Sequence, residues 1–210
     1  MRALKNVLGC VACALLLMPL AAQAGPLTIV NVGAPAINCV FNPACTVTVT
    51  DSVGAIAIPG VSGTARLQSR TYVGAPGAPA ASLTAYEYRV DLTMAKALQK
   101  PSCVSKLIID FGPVASLHYS PTGAIGEVFV VTSGGLGTIG LSSAVQAGNA
   151  IAFTFSKPVC PSAPATTAVF PGETSFFFGL ASKTAPMPST AHLVFAPSGA
   201  TATADRVPMH

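Results

Sequence analysis

The sequence predicts an all-β protein, a jelly-roll-like β-sandwich in which about ten to twelve short strands form two sheets. Helical periodicity is almost absent, and 19 glycines and 18 prolines divide the chain into many short apolar runs. The segment 174–180, Thr-Ser-Phe-Phe-Phe-Gly-Leu, has three consecutive phenylalanines, so an extended chain there would bury both of its faces. Eight of the ten phenylalanines lie between Phe129 and Phe195, and we expect this segment to be the central strand of the core.

The first 24 residues have the pattern of a bacterial secretion signal. Arg2 and Lys5 precede an apolar run over 7–22, and Ala-Gln-Ala, ending at Ala24, is a small-x-small cleavage site. A membrane anchor is the alternative, but the run is short for a bilayer span of about 20 residues. We therefore expect a cleaved signal peptide at 1–24, a single domain at 25–210, and a secreted or periplasmic location.

The charge of the remaining chain argues against several classes of partner. Without Arg2 and Lys5, nine basic and seven acidic residues remain, scattered singly along the chain. A nucleic-acid partner would favour a basic cluster, so none is predicted. No later segment has 18 apolar residues without Gly, Pro, Ser or Thr, so no membrane span is expected after cleavage.

Four cysteines follow the predicted cleavage site, and an even number in an exported chain predicts two disulfides. Three pairings are open, and we favour Cys39–Cys45, across a turn at Asn-Pro, and Cys103–Cys160, between distant strands. Zinc is the competing interpretation. It is disfavoured because the cysteines form no CxxC pair and no histidine lies near them.

Short apolar or alternating runs predict the strands in chain order. A Gly/Pro/Ala-rich segment at 74–81 is predicted to be a loop. The one predicted helix is a turn or two near 94–100, before Pro101. The strands at 174–181 and 191–196 are expected to be neighbours in one sheet. Thirteen runs are candidates for the ten to twelve strands: 27–32, 45–50, 53–58, 63–72, 85–93, 104–111, 117–119, 127–132, 138–141, 150–156, 174–181, 191–196 and 201–207.

The clearest alternation in the chain lies at 85–93. Tyr86 and Tyr88 share one face with other apolar residues, and Glu87, Arg89 and Asp91 share the other. A charged strand face is usually solvated, so we expect this second face to lie in water, with its ion pairs worth tenths of a kcal/mol each. An acid-rich catalytic face is the alternative.

Residues 135–140 match the GxGxxG pattern of dinucleotide-binding loops. That interpretation needs an acidic residue about 20 positions later, and no Asp or Glu lies between Glu127 and Glu173. Ser-Gly-Gly at 133–135 therefore predicts a turn between two strands.

No catalytic, cofactor-binding or metal-binding residues are predicted. The three histidines are not paired at metal-ligand spacing, and no GxSxG elbow surrounds a serine. Tyr72, His118 and Tyr119 are the residues that we select as candidates for ligand binding, because a sugar or other small ligand would need aromatic or imidazole groups near a loop.

These observations favour an exported, non-enzymatic structural or interaction domain, with a protein or glycan as partner and no cofactor. A carbohydrate- or ligand-binding sandwich is the alternative, and an exported hydrolase ranks third. The main argument is the scarcity of ionisable groups, which make up 9% of the chain.

Overall fold

The computed structural model describes residues 24–120, 123–164 and 171–209, and it describes the side chains of all of these except 205–209. The predicted signal peptide lies outside the described residues except for its last one, Ala24. The first strand begins at Gly25, the residue that would become the N-terminus after the predicted cleavage.

The predicted two-sheet β-sandwich is confirmed. Each main sheet has six strands, and neighbouring strands are mostly antiparallel. In spatial order, sheet I consists of β1 (Gly25–Pro26), β10 (Leu141–Ala147), β11 (Ala150–Val159), β6 (Cys103–Asp110), β13 (Met187–Ala196) and β14 (Thr201–Met209). Sheet II consists of β2 (Ile29–Gly33), β9 (Val128–Ser133), β12 (Phe178–Ser182), β5 (Thr84–Ala97), β4 (Val61–Val73) and β3 (Thr50–Ala55). A separate small hairpin pairs two strands of two residues each, β7 (Leu117–His118) and β8 (Ile125–Gly126).

The main core lies between the two sheets and is rich in aromatic side chains. Tyr88 on β5 and Phe153 on β11 both contact Phe178, with ring centroids 6.2 and 5.0 Å away. Strand β12 lies between β9 and β5, which makes it an interior strand of sheet II. The expectation that the Phe-Phe-Phe segment is buried on both faces is confirmed for Phe177 and Phe178, which are 3% and 1% exposed on opposite faces of the sheet.

A second apolar cluster covers part of the outer face of sheet II, and we call it the outer cluster. The helix α1 (Ala34–Phe41) supplies three of its buried residues, Ile37, Val40 and Phe41. Phe41 packs edge-on against Tyr72 of β4, with ring centroids 5.0 Å apart. Such a pair adds about 0.5–1.5 kcal/mol to the free energy of burial. The outer cluster holds α1 against the sheet.

The predicted helix near 94–100 is wrong, because β5 continues to Ala97. Met94 and Lys96 are exposed whereas Ala95 and Ala97 are buried, which is the two-residue period of a strand. The α-helix in the described residues is instead α1. Its start carries a proline in the first turn, where a missing N–H costs nothing, but its eight residues are too few for helical periodicity to be recognised.

Other strand predictions also differ from the structure. The strand predicted at 138–141 overlaps β10 only at Leu141, and the strand predicted at 174–181 begins at Phe178. The predicted strand at 45–50 is an irregular segment until β3 begins at Thr50. The strands predicted to be neighbours, now β12 and β13, belong to different sheets. Alternation reveals which residues share a face, but it does not reveal which strand lies beside which.

Both favoured cysteine pairs are present as disulfides in the structure. Cys39, in α1, is bonded to Cys45, and Cys103, at the start of β6, is bonded to Cys160, just after β11. Within the part of the chain that the structure describes, no helix is both long enough and apolar enough to cross a membrane.

Candidate functional site

A pocket of about 360 Å³ lies on the outer face of sheet II, beside α1. Its floor is the sheet, and its walls are α1, the segment after the Cys39–Cys45 disulfide, and the turn that follows β9. Its lining residues are Ala34, Ile37, Asn38, Val47, Val49, Arg70, Tyr72, Glu87, Val131, Gly134, Gly135, Leu136 and Phe177.

The polar floor of the pocket follows from the alternation of two paired strands. Arg70 of β4 lies directly opposite Glu87 of β5, and Tyr72 is two residues further along β4. Side chains two positions apart share a face, so Arg70, Tyr72 and Glu87 all point away from the main core. The residues of β5 on either side of Glu87, Tyr86 and Tyr88, belong to that core.

Glu87 is the most unusual group of the site, because it is a carboxyl group that is only 6% exposed. The Tyr72 hydroxyl donates a hydrogen bond to Glu87 Oε1 at 2.8 Å. Burial raises the pKa of Glu87 to about 6, and the hydrogen bond from Tyr72 and the charge of Arg70 oppose that rise. Burial also raises the pKa of Tyr72 well above its usual value, and the charge of Glu87 adds to the effect. Tyr72 therefore remains a hydrogen-bond donor over the whole physiological pH range.

Two arginines lie over the Phe177 ring, and each is held by an aspartate. Arg70 Nε is 2.8 Å from Asp51 Oδ1, and the guanidinium carbon lies 4.2 Å from the ring centroid of Phe177. Arg89 Nη2 is 2.9 Å from Asp91 Oδ2, and its guanidinium carbon lies 5.3 Å from the same centroid. Both arginines are thus fixed in position by an ion pair and a cation–π contact.

Gln68 connects the two ion pairs. Its Nε2 donates to Asp51 Oδ1 at 3.2 Å, and its Oε1 accepts a hydrogen bond from Arg89 Nε at 3.2 Å. The charged residues beside the pocket therefore form one ordered network across β3, β4 and β5. A network of this kind keeps the floor in a single arrangement before any ligand arrives.

The charges around the pocket do not balance. Asp51 is paired with Arg70, and Asp91 is paired with Arg89. Among the side chains that the structure describes, none forms an ion pair with Glu87, and the only hydrogen bond to its carboxylate is the one that Tyr72 donates to Oε1. The pocket therefore carries one uncompensated negative charge whenever Glu87 is ionised.

One wall adds a neutral polar group. Asn38, on α1, lines the pocket and is half-buried. Its backbone carbonyl accepts the N–H of Asn42, but its side-chain amide makes no hydrogen bond to any residue within the described ranges. The amide can therefore donate to or accept from a bound molecule.

The three residues that the sequence suggests for ligand binding lie in different places in the structure. Tyr72 lines the pocket, as just described. His118 is exposed on the small hairpin, where its Nδ1 lies 3.1 Å from the carbonyl oxygen of Gly123. Tyr119 is fully buried in the outer cluster, with its ring centroid 4.8 Å from that of Phe129. Neither His118 nor Tyr119 lines the pocket.

The expectation that the Glu87–Arg89–Asp91 face lies in water is wrong for Glu87, and the side chains of Arg89 and Asp91 are only 12% and 20% exposed. Helix α1 and the turn after β9 stand over that end of the face, and the sequence does not predict the helix. One feature of the sequence indicates that another element covers this face. In the Phe-Phe-Phe segment, Phe177 must point to the opposite face from its neighbours, so an aromatic ring shares the outer face with the charged residues.

The turn predicted at 133–135 is a bend at 134–136, and it joins no hairpin because β9 and β10 lie in different sheets. This bend forms the far rim of the pocket. Strand β9 ends at Ser133, and Gly134 has a positive φ of 69°, a conformation that glycine adopts without strain. Gly135 and Leu136 then line the pocket.

A second cavity of about 430 Å³ lies on the other side of Val47 and Tyr72, which line both. Four threonines, Thr48, Thr50, Thr71 and Thr84, line it. In the described ranges, no group of three or more His, Cys, Asp or Glu side chains is arranged to hold a metal ion.

The chain matches no protein-family model, no curated protein and no solved structure. The chemistry of the pocket therefore has to be argued from its own residues. Glu87 can accept hydrogen bonds, Arg70 and Asn38 can donate them, and the walls formed by Ile37 and Val49 are apolar. A pocket with apolar walls and a few fixed polar groups is typical of a small-molecule site.

Proposed function

We propose that this protein is an exported, non-enzymatic domain that binds a small molecule in the pocket between α1 and sheet II. The observation that carries the proposal is the buried carboxyl group of Glu87, 6% exposed and facing a cavity of about 360 Å³. Burying a carboxylate costs free energy, and a single described side-chain hydrogen bond, from Tyr72, offsets that cost for Glu87. Perturbed ionisable groups in clefts cluster at functional sites.

Two features support export. Disulfides such as Cys39–Cys45 and Cys103–Cys160 persist in oxidising compartments outside the cytosol. Among the described residues, the first strand also begins at Gly25, next to the predicted cleavage site after Ala24. Mass spectrometry of the protein expressed with its own leader should give a mature chain starting at Gly25. A chain that keeps Met1 and remains in the cytosol would contradict this part of the proposal.

Binding rather than catalysis is favoured by the chemistry of the lining. Glu87 could act as a base, but among the described residues that line the pocket there is no serine, cysteine, lysine or histidine to act as a nucleophile or proton carrier. The neighbouring acids Asp51 and Asp91 are held in ion pairs. Turnover of any substrate in a panel of esters, peptides and glycosides, abolished by Glu87→Gln, would overturn the non-enzymatic assignment.

A ligand screen with a blocked pocket tests the site directly. Val49 lines the pocket and is 38% exposed, so Val49→Trp should fill the mouth without disturbing the core. Val53→Trp is the matched control, because Val53 is 54% exposed on β3 and does not line the pocket. A thermal-shift screen of small amines, acids and saccharides should give hits with the native protein and Val53→Trp, and the hits should be lost in Val49→Trp. Hits that persist in Val49→Trp, or a glycan array and screen without any hit, would contradict the proposal.

A further inference from the structure

The charge count of the pocket identifies the class of ligand, provided that the pocket is a binding site as proposed above. The two arginines beside the pocket are already paired with Asp51 and Asp91. Glu87 is the remaining charge, and buried carboxylates in proteins are normally compensated by a cation. Nothing in the described part of the chain supplies that cation at ion-pair distance.

The position of Tyr72 leaves one oxygen of Glu87 for a ligand. Tyr72 donates to Oε1, and no described side chain or backbone N–H donates to Oε2. A carboxylate that is only 6% exposed and lines the pocket can therefore accept a second hydrogen bond only from something that enters the pocket.

We infer that the pocket binds a small organic cation, a protonated amine that donates to Glu87 Oε2 while its apolar part lies against Ile37, Val49 and Leu136. Such a contact joins a charge-assisted hydrogen bond to the burial of apolar surface, and the hydrogen bond is stronger in a partly closed pocket than in water. A neutral alcohol could make the hydrogen bond but would leave the charge of Glu87 uncompensated.

The charged groups near Glu87 are already paired with each other, which favours a cationic ligand. Arg70 is the nearest cation, but Asp51 neutralises it at 2.8 Å and Phe177 holds it by stacking. On the same strand as Glu87, Arg89 is neutralised by Asp91. The other walls carry no titratable group, since α1 reads Ala-Pro-Ala-Ile-Asn-Cys-Val-Phe with its cysteine in a disulfide, and the turn after β9 reads Ser-Gly-Gly-Leu.

Three compounds of nearly the same shape separate the alternatives. Cyclohexylammonium, cyclohexanol and cyclohexanecarboxylate differ in charge, and their binding can be measured by calorimetry or by chemical-shift changes of Glu87 and Asn38. At pH 7.5 we expect the ammonium compound to bind at least tenfold more tightly than the other two. Between pH 7.5 and pH 5 its affinity should fall about tenfold, because Glu87, with a pKa of about 6, becomes protonated while the ligand remains charged.

Two variants complete the test. Glu87→Gln keeps the shape of the side chain and should remove the preference for the ammonium compound along with the pH dependence. Asp110→Asn is the matched control, because it removes one negative charge from an exposed position on β6 of the other sheet. It should leave both properties unchanged.

The possible failures are distinguishable. Equal binding of cyclohexanol, or an affinity for the ammonium compound that does not change with pH in the native protein, would overturn the inference about the cation and leave the pocket as a binding site. The same conclusion would follow if every compound of the screen that competes for the native pocket were neutral or anionic. A native protein whose pocket binds none of the compounds would overturn the proposed function as well.

Discussion

Tyr72 on β4 lies diagonally across from Glu87 on β5, and the tyrosine hydroxyl is 2.8 Å from the carboxylate oxygen Oε1 while both residues are almost completely buried. This hydrogen bond stabilises the ionised form of Glu87 against a burial that favours the neutral form. The stability of the fold and the charge of the pocket therefore depend on the same pair.

The first prediction concerns the pH dependence of stability. The pKa of Glu87 is raised from 4.5 to about 6 in the folded state, so protonation favours folding. Its stabilising contribution is fully present below pH 4.5 and is lost as the pH rises through 6, by about 2 kcal/mol in total. Glu87→Gln should remove this contribution. The free energy of unfolding of the native protein, relative to that of the variant, should therefore fall by about 2 kcal/mol between pH 4 and pH 7 in urea titrations. A difference that is constant with pH, or that increases, would contradict the assignment of Glu87 as a buried, weakened acid.

The second prediction concerns the hydroxyl of Tyr72. Because its hydrogen bond lowers the pKa of Glu87, Tyr72→Phe should raise that pKa above 6 and destabilise the fold by about 1–3 kcal/mol at pH 7. An NMR titration of the Glu87 carboxyl carbon measures the shift. Tyr86→Phe is the control, since the Tyr86 hydroxyl donates instead to the carbonyl oxygen of Thr184 at 2.6 Å. The pKa of Glu87 should be unchanged in the control. If the pKa of Glu87 does not rise in Tyr72→Phe, the hydrogen bond does not stabilise the ionised form.

The third prediction compares the two disulfides. Cys103 and Cys160 are 57 residues apart in sequence, and Cys39 and Cys45 are 6 apart. If the unfolded chain loses entropy according to loop length, replacing the longer pair by alanines should cost about 4 kcal/mol and replacing the shorter pair about 2 kcal/mol. Guanidinium unfolding of the two double variants gives both values. A larger loss for the Cys39–Cys45 variant would indicate that this bridge acts mainly by holding α1 in the folded state.

The fourth prediction concerns the close packing at the centre of sheet II. A Cβ on Gly179, in β12, would collide with the backbone carbonyl of Tyr86 and with the ring of Phe129. Neither atom belongs to a flexible side-chain end, so Gly179→Ala should destabilise the fold by about 1–3 kcal/mol or more. Gly140→Ala is the control, because a Cβ there would meet only Phe176, at 3.9 Å. Thermal unfolding of both variants measures the difference, and equal melting temperatures would contradict the packing described for β12.

The sandwich could be predicted from the sequence, because burial on both faces leaves a direct mark in the chain. The Phe-Phe-Phe segment and the alternation of Tyr86, Tyr88 and Val90 indicate which side chains avoid water. The turn at Asn-Pro favours the short bridge, although the spacing of the cysteines leaves three pairings open.

The pocket could be predicted only in part. The sequence points to Tyr72 but assigns Glu87 to solvent, because a charged residue on an alternating strand is exposed unless another element covers it. The cover is α1, a helix of eight residues whose position depends on contacts such as Phe41 with Tyr72, far apart in the chain. Local pattern carries no information about such long-range contacts, and for the same reason it predicts a helix at 94–100 where the structure has a strand.

The start of the fold has one more consequence. Gly25–Pro26 pairs with β10 in sheet I, and Ile29–Gly33 runs parallel to β9 in sheet II, so nine residues form an edge of each sheet. This segment therefore connects the two sheets covalently along one side of the sandwich. After a cut between Gly33 and Ala34, residues 25–33 would be held to the two sheets by noncovalent contacts alone.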